Sequence, residues 1–234
     1  MTNHDFITIP VADGTEMDVY IAFPEKKGPS PAIIVIQEAY GVNSHIRNVT
    51  ERLYKEGYVA ISPDIFHRTI KRADIPYTDF SAAMPHYQAV TNEGLKADLE
   101  ALYGWLQKQS AVEHDKIGSI GFCLGGRVSF LANAVLPLSA AISYYGGGLE
   151  TLTTEAPNLH GAQLFVWGGL DTHITQEKRE AILQAVDAAG KKYAYAVFSY
   201  AGHAFNSDDR PSYNPEAAKE AWGLSLGFLA NNLK

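Results

Sequence analysis

The sequence predicts an α/β fold with a mostly parallel central sheet, helices on both faces and an antiparallel hairpin at the N-terminus. Short apolar runs alternate with segments of helical spacing along most of the chain, as expected for right-handed crossovers between parallel strands. One run, residues 32–37 (AIIVIQ), is apolar up to its last residue, which is typical of a strand buried on both faces. No repeat or long linker interrupts the 234 residues, so a single domain is expected over residues 1–234.

The first half of the chain opens with two strands around Asp13-Gly14, a dipeptide that favours a short hairpin turn. After the strand at 32–37, helical spacing begins near Ser44, a candidate N-cap, and stops at Gly57. The segments that follow are a strand at residues 58–64, a loop or short helix at 68–85 and a long helix at 87–109.

The second half continues the alternation of strands and helices. Its predicted strands are residues 116–122, 139–146, 163–169 and 192–200, and its predicted helices are residues 124–135, 176–190 and 215–233. In open sheets of this kind, ligands bind beyond the carboxyl ends of the strands. The polar residues that directly follow each strand are therefore the candidates for a functional site.

Charge and composition exclude several classes of function. A net charge of -7 argues against nucleic acid or an anionic membrane as partner. The single cysteine allows no intramolecular disulfide and no thiolate cluster for zinc, and no metal-binding motif or cofactor motif is present. The N-terminus lacks the basic and apolar regions of a signal peptide, and no apolar run is long enough to span a membrane. A cytoplasmic protein without metal or cofactor is expected.

Four reactive side chains follow four of the predicted strands. Glu38 comes after residues 32–37, Cys123 after 116–122, Asp171 after 163–169, and His203 after 192–200. The carboxyl ends of parallel strands meet at one edge of a sheet, so the combination is more specific than any of its members.

Cys123 stands in Gly121-Phe122-Cys123-Leu124-Gly125, a G-x-nucleophile-x-G turn with cysteine in the place of serine. Such a turn between strand and helix leaves no room for side chains at the glycines and raises the sulfur above the sheet. At the helix N-terminus the dipole and the N–H groups favour a thiolate. The alternative is a small buried cysteine between packing glycines, and the pentapeptide alone does not decide between them.

His203 lies in the loop after the last strand, where its imidazole is able to act on the sulfur as base and then as acid. Asp171 is the candidate to accept the other ring N–H and fix the tautomer. The alternative interpretations are that His203 is an ordinary surface histidine and that Asp171 is an ordinary carboxylate near a helix N-terminus. His173, two residues from Asp171, is a competitor for the base and is expected to be a neighbour of the site.

Glu38 falls on the loop that supplies one oxyanion-hole N–H in this architecture. We expect the backbone N–H groups of Ala39 and Leu124 to be the donors. Glu38 would then contact the thiol and control its protonation, whereas the simpler alternative is a solvated loop carboxylate.

Together these residues resemble the dienelactone hydrolases, which are α/β-hydrolases with a cysteine nucleophile. The matching segments, in family order from residue 33 to the C-terminus, are QEAYGVNSHIRNVTERLYKEGYVAISPDIF, GSIGFCLGGR, ISYYGGGLE, WGGLDTHI and AGHAFN. The resemblance implies a triad of Cys123, His203 and Asp171 with Glu38 as an extra acid. In that family the resting thiol is largely neutral, and the matching glutamate becomes its base when substrate binds. The thiolate then attacks a lactone or ester, and water cleaves the acyl-thioester.

The resemblance also names substrate-binding positions. Tyr144 and Tyr145 match aromatic residues beside the family's pocket, although strand-end packing would explain them equally well. In the dienelactone-specific members, an arginine four residues after the catalytic histidine holds the substrate carboxylate. This sequence has Ser207 at that position, and Arg210 follows three residues later. A second family arginine comes from the loop before the long helix, where Arg72 is our candidate and Arg68 lies nearby. The missing anchor argues against 4-carboxymethylenebutenolide as substrate.

The sequence therefore predicts a hydrolase of small esters or lactones. About 20 residues separate ISYYG from LFVWGG, too few for a cap domain, so a shallow pocket is expected. The alternatives are a non-catalytic or redox-sensing protein that uses Cys123 as an oxidation site, and a thioesterase or peptidase on the same site. The expected partner is a small ester or lactone, and the expected state is a monomer or small homo-oligomer.

Overall fold

The computed structural model describes residues 4–24 and 28–234. Eight strands form one sheet: β1 (His4–Pro10), β2 (Glu16–Ala22), β3 (Ser30–Ile36), β4 (Val59–Pro63), β5 (Val112–Phe122), β6 (Ala140–Tyr144), β7 (Ala162–Gly168) and β8 (Tyr193–Phe198). Their order in the sheet is β1-β2-β4-β3-β5-β6-β7-β8. The helices are α1 (Ser44–Lys55), α2 (Phe80–Ala89), α3 (Asn92–Leu106), α4 (Leu124–Val135), α5 (Gln176–Ala188) and α6 (Pro215–Leu233), with a 3₁₀ helix at Leu149–Asn158.

The chain divides into two compact units, one ending at Gly118 and the other running from Ser119 to Lys234. In the first unit, β1 pairs antiparallel with β2 and β2 antiparallel with β4, whereas β3 and β4 are parallel. In the second unit, β6, β7 and β8 are parallel neighbours. The expected α/β class, with its mostly parallel sheet and antiparallel N-terminal hairpin, is confirmed. The single domain over residues 1–234 stays a prediction.

The inner strands explain the apolar runs of the sequence. Every residue of β3, β4, β6 and β7 is buried. A parallel strand covered on both faces has no solvent side, so its sequence does not alternate. Among the described residues, no helix has the length and apolar character that a membrane crossing requires.

The prediction of one long helix over residues 87–109 is wrong, because the structure has the end of α2 and the separate helix α3 there. The chain leaves the helical conformation at Val90, and α3 starts afresh because the Thr91 side chain accepts the N–H of Gly94 as an N-cap. The N-cap of α1 is likewise Asn43 and not Ser44, since the Asn43 side chain accepts the N–H of Ile46. In both cases a local side-chain bond to the backbone decides where the helix begins.

Candidate active site

Cys123 occupies a sharp turn between β5 and α4. Its φ of 53° lies in the left-handed region, which is uncommon for a residue other than glycine. The neighbouring glycine is sterically required, because a Cβ at Gly121 would approach the carbonyl oxygen of Gly125 to 1.8 Å. The turn is fixed further by a 3.1 Å hydrogen bond from the Cys123 N–H to the Tyr144 carbonyl. The thiol is therefore held half-buried at the N-terminus of α4.

Three of the residues predicted at strand ends form a continuous chain of contacts. His203 Nε2 lies 3.3 Å from Cys123 Sγ, and His203 Nδ1 lies 2.7 Å from Asp171 Oδ2. The second carboxylate oxygen of Asp171 accepts the backbone N–H groups of His173 at 2.8 Å and Ile174 at 3.1 Å. With both oxygens engaged, the carboxylate is fixed and orients the imidazole toward the sulfur.

The charges of this chain of contacts reinforce one another. Burial lowers the pKa of His203, but the hydrogen bonds to Asp171 and Cys123 and the charges of those groups outweigh it and raise the pKa from 6.5 to about 10. For Asp171, burial raises the pKa, whereas His203 and the two backbone N–H groups bring it below its ordinary value. Both shifts favour an imidazolium between a carboxylate and a sulfur.

Two cations in the first turn of α5 hold the loop that carries Asp171. Lys178 Nζ donates to the His173 carbonyl at 3.0 Å, and an Arg179 guanidinium nitrogen donates to the Ile174 carbonyl at 2.9 Å. These are the same two residues whose N–H groups bond to Asp171. Neither cation was identified from the sequence. Two basic residues near a helix N-terminus are unfavourable for the helix dipole, and this indicates that they have another role.

Aromatic rings line the imidazole. The Tyr145 ring lies 5.2 Å from the His203 ring, centroid to centroid, and also contacts Phe205. Tyr144 is buried, and its hydroxyl lies 2.7 Å from Ser225 Oγ of α6. Tyr145 thus borders the site, whereas the contacts of Tyr144 include core packing.

His173 stands beside the site, as expected. Its exposed ring meets the His203 ring edge-on at 5.2 Å between centroids. Of the two imidazoles, His203 makes the contacts to both Cys123 and Asp171.

Glu38 and Ala39 belong to the first unit, directly after β3 and Gln37, and both are buried. Glu38 Oε2 accepts the hydroxyl of Tyr77 at 2.8 Å, and the Tyr77 ring packs against Tyr40. Glu38 is thus not a solvated loop carboxylate. Its contact with the thiol and the oxyanion-hole role of Ala39 stay predictions. Tyr77 was not identified from the sequence, because it falls in the segment 68–85, which has no periodicity.

The positions named for the substrate carboxylate lie in different surroundings. Arg72 bonds through Nε to Asp18 at 2.5 Å and lies over the Phe6 ring at 4.6 Å. Ser207 is fully buried in the loop after His203, and its carbonyl accepts the N–H of Arg210 at 3.1 Å. The guanidinium of Arg72 already has a carboxylate partner, which an incoming substrate would have to displace.

Sheet order and the cysteine turn between β5 and α4 define an α/β-hydrolase fold. Within that class, the model of the dienelactone hydrolase family matches residues 17–233, and the chain belongs to this family. It is accordingly a dienelactone hydrolase-like hydrolase.

Individual relatives agree with this assignment. The "Putative carboxymethylenebutenolidase" of Escherichia coli O157:H7 is 38% identical over 239 residues, which cover 96% of this chain and 85% of that protein. The carboxymethylenebutenolidase of Pseudomonas putida is 31% identical and covers 96% and 95% of the two chains. A crystal structure from Klebsiella pneumoniae, named "Putative Dienelactone Hydrolase", superposes with a TM-score of 0.87 at 33% identity, covering 97% and 98%.

Proposed function

We propose that the protein cleaves a small ester or lactone with Cys123 as nucleophile, His203 as base and acid, and Asp171 as the group that orients His203. The observation that carries this proposal is the unbroken chain of contacts from sulfur to carboxylate, at 3.3 Å and 2.7 Å. A structural cysteine has no need of an imidazole that is itself fixed by a buried carboxylate.

The first step transfers the acyl group to sulfur. The thiolate of Cys123 attacks the carbonyl carbon, a C–S bond forms, and the electron pair of the C=O bond moves to oxygen. When this oxyanion collapses, the C–O bond to the leaving group breaks, and His203 donates its proton to the departing alkoxide. The products of the step are an acyl-thioester and an alcohol, which stays attached when the substrate is a lactone.

The second step releases the acyl group from the sulfur. His203, now neutral, takes a proton from water as the hydroxide oxygen attacks the thioester carbon. The C–S bond breaks, the carboxylic acid leaves, and the sulfur regains its negative charge beside the imidazolium. The raised pKa of His203, about 10, supports the positive charge of the imidazolium.

The oxyanion is assigned to two backbone N–H groups, those of Leu124 and Ala39. Leu124 supports the assignment because it is the first residue of α4, where N–H groups lack intrahelical partners and the dipole stabilises negative charge. A test replaces the substrate carbonyl with a phosphonate that mimics the tetrahedral oxyanion and measures its inhibition constant against that of the carboxylate product.

Glu38 is proposed as the group that controls the protonation of the thiol when substrate binds. Its burial and the hydrogen bond from Tyr77 keep its carboxylate in a defined position. In Glu38→Gln, the rate of thiol alkylation without substrate is expected to change little, while kcat falls by about tenfold or more. An unchanged kcat would remove Glu38 from the mechanism.

Substrates without a carboxylate are proposed to be preferred. Ser207 supplies no positive charge, and Arg72 is already paired with Asp18. Arg210 remains a candidate ligand for a carboxylate. The test compares kcat/KM for neutral and anionic lactones of equal size in the wild type, Arg72→Ala and Arg210→Ala. It measures whether the protein prefers the anion and whether either arginine is responsible. A strong preference of the wild type for the anion would overturn this part of the proposal.

The whole proposal is tested with p-nitrophenyl acetate and small lactones on the wild type, Cys123→Ala and His203→Ala. Each substitution is expected to lower kcat/KM by about 10³-fold or more, because the residues act as a unit. A redox-sensing protein would instead show no turnover and a reversible modification of Cys123 by peroxide. A thioesterase or peptidase would cleave its own acyl substrates much faster than these esters.

A further inference from the structure

Within residues 4–24 and 28–234, strand β8 forms one edge of the sheet and pairs only with β7. The carbonyls of Lys192 and Phe198 accept N–H groups from the β7 side, at 3.0 Å and 2.7 Å. Because successive residues of a strand point their backbone groups to alternate sides, the N–H and C=O groups of Tyr193, Tyr195 and Val197 point away from β7. This edge therefore offers three donors and three acceptors in a row.

The edge lacks the usual devices that prevent pairing with another strand. Residues 193–198 read Tyr-Ala-Tyr-Ala-Val-Phe, without a charged residue or proline. Two of the large side chains are exposed to solvent, Tyr195 by 55% and Val197 by 41%. At the opposite edge, β1 contains Asp5 and ends in Pro10. An uncharged aromatic edge of this kind is expected to be covered in solution.

A second copy of the chain fits this edge in antiparallel orientation. If Tyr195 lies opposite Tyr195 of the second copy, then Tyr193 lies opposite Val197 of that copy, and Val197 lies opposite its Tyr193. All three pairs consist of outward-facing residues, so each pair exchanges two hydrogen bonds, giving about six in all. Their side chains then form cross-strand apolar pairs on one face of the joined sheet. The small residues Ala194 and Ala196 fall in the closely spaced positions between them.

The charges at the two ends of the strand are complementary in this arrangement. Lys191 and Lys192 precede β8, and their ammonium groups bond to uncharged acceptors, the Leu159 carbonyl and the Asn232 side chain. At the other end, Glu220 of α6 accepts the hydroxyl of Tyr200 at 3.2 Å. Antiparallel pairing brings the lysines of one copy to the glutamate end of the other, twice per dimer.

We propose that the β8 edge is a self-association surface, through which two copies of the chain pair antiparallel about a two-fold axis and extend the sheet. A two-fold contact uses the same patch on both copies, so association stops at the dimer. This proposal does not depend on the proposed function.

The test is sedimentation equilibrium of the full chain over a range of concentrations. The wild type is expected to form a dimer. Tyr195→Pro removes an outward N–H without touching the β7 ladder, and is expected to raise the dissociation constant by about 100-fold. A monomer at every concentration up to about 100 µM, association beyond two chains, or a dimer that Tyr195→Pro leaves intact would each overturn the proposal.

Charge exchange gives a second test that does not depend on a proline. Lys192→Glu and Glu220→Lys are each expected to weaken the dimer by about tenfold, and the double variant is expected to recover most of that loss. Lys55→Glu on α1 changes the net charge as much as Lys192→Glu and is expected to have no effect. Circular dichroism of each variant confirms the fold. A double variant that is weaker than both single variants would contradict the antiparallel arrangement.

Discussion

Replacing Asp171 by Asn changes the charge behind His203 while keeping the size of the side chain. The amide oxygen still accepts the N–H groups of His173 and Ile174, at 2.8 Å and 3.1 Å in the wild type. The amide NH₂ then faces His203 Nδ1, which must become an acceptor. The imidazole is held in the wrong tautomer and loses the carboxylate that stabilises its charged form.

The structure sets the size of the effect. A rise in the pKa of His203 from 6.5 to about 10 corresponds to about 5 kcal/mol in favour of the imidazolium. With this stabilisation divided equally between Asp171 and Cys123, removing the carboxylate takes away about 2.5 kcal/mol, or about 70-fold in kcat/KM. The change of tautomer adds to the loss, so a decrease of about 70-fold or more is expected.

The assay is kcat/KM as a function of pH for a small lactone, whose alkoxide leaving group needs a proton. In the wild type, the rate is expected to fall in alkali with a midpoint near 10, where His203 loses the proton that the leaving group needs. In Asp171→Asn this midpoint moves toward the ordinary value of 6.5. A decrease of less than about fivefold in kcat/KM, with an unmoved alkaline midpoint, would refute the reasoning.

Three further results are expected. Arg179→Ala frees the Ile174 carbonyl and is expected to lower kcat about tenfold and shift the alkaline midpoint downward, whereas the exposed control Glu180→Ala changes neither. Gly121→Ala forces a Cβ against a backbone oxygen and is expected to lower the free energy of unfolding in urea by about 3 kcal/mol or more, while Gly104→Ala, with open space around it in α3, raises it by about 0.5–1 kcal/mol. The raised pKa of His203 stabilises the folded state fully below about pH 6.5 and loses that effect as the pH rises to about 10, so the difference in Tm between wild type and Asp171→Asn is expected to shrink over this range. Equal kcat values for Arg179→Ala and Glu180→Ala would contradict the first expectation, and equal unfolding energies for Gly121→Ala and Gly104→Ala the second. A Tm difference between wild type and Asp171→Asn that does not change with pH would contradict the third.

The sequence carried enough information to predict where the residues of the candidate triad lie. Cys123, Asp171 and His203 each follow a strand, and parallel strands end at the same edge of a sheet. Knowing the order of strands and helices was therefore sufficient to expect these side chains together, without knowledge of any side-chain conformation.

Contacts that join distant segments through single side chains could not be predicted in the same way. The bond from Tyr77 to Glu38 spans 39 positions and starts in a segment without periodicity. The break before Thr91 was missed because helical spacing of apolar residues continues through it, while one threonine hydroxyl decides the boundary. Such bonds depend on geometry that exists only after the chain has folded.

The central claim is that Cys123 carries the acyl group during turnover, and rapid-quench mass spectrometry of the intact protein tests it most directly. Wild type mixed with p-nitrophenyl acetate and quenched in acid is expected to gain the mass of one acetyl group, mapped to Cys123 and lost again as turnover ends. Cys123→Ala is expected to show neither the added mass nor turnover. Full turnover by Cys123→Ala, or an acetyl group on another residue at the rate of turnover, would contradict the account.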